Sequence, residues 1–410
     1  MANPTAKQTW HYGWTVVFAG ALSLFACLGL ARFAFGMLLP AMRTGLDLAF
    51  DQMGFISMGN FAGYLAAVAL APALIRRFRP RVTIVAALLL ITLCMLGISL
   101  SQSFWQVLLL YTLVGIGSGF ANIPVMVLVS HWFRRERRGR AAGLMVMGSG
   151  AGIIFSGYLI PALNRGLGVE GWRSGWQILA LLALLISGIA GKLLRNDPAE
   201  LNLEPVGKIQ PIPPQQVAAK ETPGAGRILV QLGVLYLVFG ATYMVYGTFI
   251  VTTMVVEYGF TEARAGMFWS WVGWCSLFSG VSFGVLSDRI GRKGGLAVVF
   301  GVQTAAYLLA GSRLGTAALL LSIVLYGLAA FAIPTIMAAA VGDYLGLSRA
   351  AQAFSLITLF FAVGQTVGPG AAGVIAKASG TFTTAYLAAS ALTGVAMLLT
   401  TLLPRPDTSR

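Results

Sequence analysis

Apolar runs long enough to cross a bilayer recur from one end of this chain to the other, and they leave few folds open to it. A hydrocarbon core about 30 Å thick needs roughly 20 helical residues at about 1.5 Å each. Runs of that length fall near residues 14–40, 52–75, 82–100, 105–132, 141–163 and 173–194, and again near 228–256, 263–287, 295–312, 316–342, 350–376 and 382–404. With 57% hydrophobic and 10% charged residues, the chain is not an ordinary soluble domain. The expected fold is an all-α polytopic membrane protein with twelve transmembrane helices. The first run is too long and too poorly flanked for a cleaved signal peptide, so it is expected to stay as a span. Cys27, Cys94 and Cys275 lie in apolar runs without metal-ligand spacing and read as packing residues.

Within the first run, Gly29 to Pro40 encloses Arg32. A charge near mid-membrane costs roughly 3 kcal/mol on insertion scales and about 10 or more in isolated-helix simulations. Something must compensate it. Snorkelling or capture by backbone carbonyls is one reading. The other is a cation facing a polar cavity, where its planar fork fits a carboxylate or phosphate.

A cytoplasmic N-terminus places 21 of the 28 lysines and arginines on one side. They include Lys7, the arginines of 76–81 and 134–140, the basic residues of 192–227 and 289–293, Arg349, Arg405 and Arg410. Arg43, Arg165, Arg173, Arg264, Arg313 and Lys377 fall on the other side. This bias predicts an inner-membrane protein with both termini cytoplasmic. The net charge of +15 is then a topology signal and a contact for anionic lipid, with no nucleic-acid partner expected.

Between Asn196 and Gly226 the apolar runs stop, and Pro198, Pro205, Pro211, Pro213, Pro214 and Pro223 appear among mixed charges. This predicts a cytoplasmic linker, residues 195–226, of extended or disordered chain acting as a tether. It separates two six-helix bundles, 1–194 and 227–410. The halves resemble each other: Ala31 to Gly36 lies over Thr242 to Gly247, matching Arg32 with Tyr243 and Phe35 with Tyr246. Gly54 to Arg76 repeats as Gly266 to Asp288, and Pro124 as Pro334. Parallel repeats place a substrate site near the midplane between halves.

The segment Gly284-Val-Leu-Ser-Asp288-Arg289-Ile-Gly291-Arg292-Lys293 resembles the signature loop of the major facilitator superfamily. His131 to Gly143 is similar to the loop after the fourth span in monocarboxylate and oxalate-formate type carriers. The resemblance implies alternating access by a monomer. The first, fourth, seventh and tenth spans would line the cavity, and the second, fifth, eighth and eleventh would form the moving interface. Arg76 stands where the second half has Asp288, which departs from the family and predicts gates of unequal strength. The expected gating residues are Asp288, Arg289, Gly291 and Arg292, with Asp288 docking at the start of the fifth span near Arg140.

The expected substrate contacts are Arg32, Phe35, Asn122, Tyr243, Tyr246, Phe361 and Gln365. Tyr243 and Tyr246 lie one turn apart and could both donate to an anion held by Arg32. Phe354, Thr358, Phe361 and Gln365 form a stripe at helical spacing, which packing explains as well. Asn60, Trp271, Trp274 and His131 read first as structural residues. Gly115-x-x-x-Gly119, Gly148-x-Gly-x-Gly152 and Gly364-x-x-x-Gly368 predict close helix contacts.

No aspartate or glutamate falls within a span, which removes the usual membrane relay for protons and the usual partner for cationic drugs. A weak acid could bring its own proton, or one anion could exchange for another. No nucleotide-binding loop is present, and Gly280-Val-Ser282-Phe-Gly284 fits a nucleophile-elbow pattern only by chance within a span. The reading is therefore a secondary transporter for a small organic anion, a monocarboxylate, with no catalytic role, cofactor or metal. Its rivals are an exporter of neutral or hydrophobic compounds, a non-transporting sensor and a membrane-embedded transferase.

Overall fold

The computed structural model describes residues 10–207 and 225–404. Lys7, Lys208, Lys220, Pro211, Pro213, Pro214, Pro223, Arg405 and Arg410 lie outside them. Among the described residues ten helices are long and apolar enough to cross a membrane, two fewer than the expected spans. The difference lies in two 50-residue helices, Phe50–Ser99 and Glu262–Gly311. At about 75 Å each they far exceed a bilayer core. Each is broken once, at Arg79 (φ 60°, ψ 158°) and at Gly291 (φ 82°, ψ 157°). Beyond Gly291 the chain folds back, because a Cβ on Gly295 would lie 2.4 Å from that of Ser287. Each long helix is thus two spans, which restores twelve.

The spans are α1 (Tyr12–Leu46), α2 (50–78), α3 (80–99), α4 (Phe104–Trp132), α5 (Arg135–Leu167), α6 (Gly171–Leu193), α7 (Ala225–Glu257), α8 (262–290), α9 (292–311), α10 (Thr316–Leu345), α11 (Leu347–Ser379) and α12 (Thr383–Thr400). Outward-facing side chains such as Leu93, Trp105 and Val281 are apolar and exposed, as a lipid-facing surface requires. The break inside α10 at Phe331 leaves an N–H that Ser279 Oγ accepts at 3.1 Å.

Small residues set the helix contacts within each half. Gly148 on α5 meets the Ala21 carbonyl of α1, and in the second half Gly364 of α11 meets the Leu237 carbonyl of α7. Gly115 of α4 packs on the backbone of Asn60 in α2. Asn60 Nδ2 also donates to the Tyr111 carbonyl at 3.0 Å.

Between halves, α2 packs on α11 and α5 on α8. A Cβ on Gly54 would sit 2.5 Å from the Pro369 oxygen, and one on the repeat-related Gly266 would sit 2.1 Å from the Gly157 oxygen. Lys377 pairs with Asp51 at 2.8 Å, and Asn164 donates to Glu262 at 2.6 Å. All these contacts lie between mid-membrane and the face opposite the basic loops. The ion pairs described at the basic face, such as Arg292 with Asp343 at 2.6 Å, stay within one half.

The beginning of the linker departs from the expected free tether. Trp132 Nε1 donates to the Arg195 carbonyl at 2.9 Å, and His131 Nδ1 lies 3.1 Å from the Asn196 carbonyl. A short bridge then joins Phe133 and Val206, with Val206 N–H donating to the Trp132 carbonyl at 2.8 Å. Glu204 pairs with Arg134 at 2.6 Å. The basic loop supplies the charge and Trp132 the indole donor that hold this stretch, so its prolines shape a docked strap.

Candidate functional site

Arg32 stands near the end of a nine-residue π-helical segment of α1, Phe25–Phe33. Such widened turns are uncommon and gather at functional sites. The neighbouring α4 supplies extra donors to its carbonyls: Ser118 Oγ donates to Cys27 at 2.8 Å and the Tyr111 hydroxyl to Arg32 at 3.3 Å. Gly29 lets the segment press against α5, where its Cβ would lie 2.7 Å from Gly152 Cα.

The guanidinium sits over two rings of α2, Phe61 with its centroid at 4.9 Å and Tyr64 at 4.3 Å. Stacking against ring faces suits a planar cation and leaves its N–H edges free. Nε and Nη2 are buried and meet no hydrogen-bond acceptor among the described residues. These two atoms form one edge of the guanidinium, the side-on fork that accepts a carboxylate through two parallel bonds. A small void of about 10 Å³ touches Arg32, Phe33, Phe35, Ser57, Phe61 and Tyr111, with Met244, Gly247 and Thr248 facing them from α7. The cation therefore lies at the meeting of the halves.

Of the expected contacts, Asn122 comes nearest in effect, since its Nδ2 donates to the Tyr64 hydroxyl at 2.8 Å. Phe35 stacks on Tyr111 at 4.4 Å. Tyr243 lies within electrostatic reach of Arg32, and its carbonyl accepts from Tyr326 at 3.0 Å. Phe361 joins a ring column, 4.7 Å from Tyr236 and 5.6 Å from Phe239, which in turn stacks on Tyr243 at 5.1 Å. Gln365 is buried with Nε2 unpartnered among the described residues, close to the backbone of Gly240.

Tyr246 is not brought together with Arg32. Its hydroxyl is 2.7 Å from Ser322 Oγ and its ring stacks on Tyr326 at 4.1 Å, inside the second bundle. A three-residue step on a helix rotates a side chain about 60° short of a full turn, and here that turns Tyr246 toward α10. Nor does Asp288, expected to gate, meet Arg140 here. Asp288 pairs with Arg292 at 2.5 Å, Arg289 is exposed, and Arg140 lies over the Trp14 ring at 5.8 Å. Trp274 is exposed, while Trp271 packs on Phe268 at 4.9 Å. Nothing in its residue type singles out Tyr64 beside Arg32. Phe61 and Tyr64, three residues apart on α2, were the available signal.

A family model described as "Uncharacterised MFS-type transporter YbfB" matches residues 24–401. This chain belongs to the major facilitator superfamily. Within the superfamily, the transporter is 23% identical over 404 residues to human monocarboxylate transporter 2, covering 93% of this chain and 83% of that one. It is 24% identical over 196 residues to the phosphoglycerate transporter protein of Salmonella typhimurium, a match spanning 48% of this chain and 42% of that protein. The superfamily fold is shared with the crystal structure of a bacterial homolog of the human lysosomal transporter Spinster in an inward-facing, occupied conformation. The TM-score is 0.74 at 16% identity, covering 96% of this chain and 97% of that one.

Proposed function

We propose that this protein is a secondary carrier that moves a small monocarboxylate across the inner membrane by alternating access, as a proton symporter or an anion exchanger. The observation that carries this reading is the unpartnered Nε and Nη2 edge of Arg32 at the junction of the halves. A single buried cation balances one negative charge, and a dianion would call for a second. The names of the matched monocarboxylate and phosphoglycerate transporters agree with an anionic substrate. On this reading the basic face and both termini are cytoplasmic, 1–194 and 227–410 are the rocking bundles, and the closed contacts on the opposite face agree with a carrier that opens toward the cytoplasm. Asp288 would leave Arg292 and meet the start of α5 near Arg140 in the other state.

The test is a thermal-shift titration of purified protein and Arg32→Gln with acetate, butyrate and benzoate, and with their neutral amides. Binding to the native state raises stability by mass action. Stabilisation by a carboxylate, lost in Arg32→Gln and absent with the amide, is the expected result. The ring column of Tyr236, Phe361, Phe239 and Tyr243 favours a second reading, export of neutral aromatic compounds. Equal stabilisation by benzamide in both proteins would establish that one in its place.

A further inference from the structure

We propose that Tyr64 is a substrate-contacting donor beside Arg32 and that Asn122 acts through it as a positioning residue. This rests on the carboxylate reading above and adds how the site is armed.

A phenol oxygen can accept one hydrogen bond and donate another, both close to the ring plane. Asn122 Nδ2 donates to the Tyr64 oxygen at 2.8 Å and so occupies its acceptor side. The phenol proton must then turn to the other side of the plane. The same ring lies 4.3 Å from the Arg32 guanidinium, whose charge polarises the phenol and strengthens it as a donor. Phe61 offers a second face at 4.9 Å but carries no polar atom. Asn122, Tyr64 and Arg32 sit on α4, α2 and α1, so three helices of one bundle converge on the guanidinium. An unfilled donor in a half-buried site is costly, and an anion on the Arg32 fork supplies the acceptor.

The substitutions separate these roles. Tyr64→Phe keeps the ring face and removes the proton; carboxylate affinity should fall about ten- to a hundredfold. Asn122→Leu removes the amide that aims the proton and should cost less. The double variant should bind no more weakly than Tyr64→Phe alone, because Asn122 has nothing left to aim. Asn122→Asp supplies only acceptors, draws the phenol proton to itself and places a negative charge near Arg32, so binding should be lost.

The experiment is a thermal-shift titration of full-length variants with acetate, butyrate and benzoate, using the corresponding amides as neutral controls. Loss in Tyr64→Phe together with non-additive loss in the double variant supports the proposal. If Arg32→Gln abolishes carboxylate binding while Tyr64→Phe binds like wild type, the Tyr64 role is overturned and the carrier reading stands. If Arg32→Gln still binds, or no carboxylate stabilises wild type, the carrier reading falls and this proposal with it. Strictly additive losses would return Asn122 to a structural role. Should Tyr64→Phe not fold, Asn122→Asp decides: wild-type affinity there overturns the proposal.

Discussion

Gly36 and Gly247, which hold matching places in the two halves, meet backbone to backbone: a Cβ on Gly36 would lie 2.8 Å from the Gly247 carbonyl oxygen. Ser57 and Thr248 hydroxyls, 3.1 Å apart, close the same seam. Gly36→Val should therefore part α1 from α7 and weaken the closed face. In a background lacking the native cysteines, a cysteine at Ser57 should react several-fold faster with an impermeant maleimide from that face. Unchanged labelling would count against a seal at this point.

Arg79 and Gly291 occupy matching places where each long helix breaks, and both take a backbone conformation that is essentially reserved for glycine. The second half has the glycine and the first does not. Arg79→Gly should stabilise the protein by about 1 kcal/mol, and Gly291→Ala should destabilise it by about 1–3 kcal/mol. Melting temperatures of the two variants check both signs. Gly291 in the signature loop is thus favoured by the turn, whatever else the loop does.

Tyr243→Phe and Tyr246→Phe should part company. Tyr246 bonds Ser322 in a dry interior, so its loss should cost about 1–2 kcal/mol of stability and leave carboxylate affinity unchanged. Tyr243 feels the charge of Arg32 electrostatically, and on the carrier reading its hydroxyl should matter for binding more than for stability. Thermal melts with and without acetate, butyrate and benzoate separate the two. A reversed pattern would exchange their roles.

Arg32→Lys keeps the positive charge and discards the fork. An ammonium cannot offer two parallel donors from one edge. Affinity for the carboxylate found with wild type should drop about tenfold or more, as a lost charge-assisted hydrogen bond predicts. Isothermal titration measures it directly, and wild-type affinity would mean that charge alone suffices.

The number of spans, the repeat and the exceptional place of Arg32 were legible in the sequence because lipid penalises every departure from an apolar helix. Gly54 and Gly266, matched by spacing alone, do make equivalent contacts across the halves. The facing of each helix was not legible. Where both lipid and protein neighbours are apolar, no polar stripe marks the inner side. Tyr246 therefore read as a partner of Arg32, although it faces Ser322. Tyr64 carried no charge to draw notice, and Asn122 gains its meaning only through the contact with that phenol. Asp288 met Arg292 four residues along the chain, just past the break at Gly291, a local pairing that competes with any distant partner. The strap at 195–206 was hidden for a different reason, since its prolines signal extension without saying what the extended chain lies against.

At three places the seam between the halves is main chain on main chain, with Gly36 on Gly247, Gly54 on Pro369 and Gly266 on Gly157. When such a seam closes, few flexible side chains have to be frozen into single rotamers. Each long side chain immobilised at an ordinary interface costs about 0.5–1.5 kcal/mol. A seam of bare backbone escapes much of that entropy loss, and it has correspondingly little to recover on opening. In the proposed alternating cycle this keeps the entropic cost of that closure low, which favours rapid turnover over a long dwell in the open state.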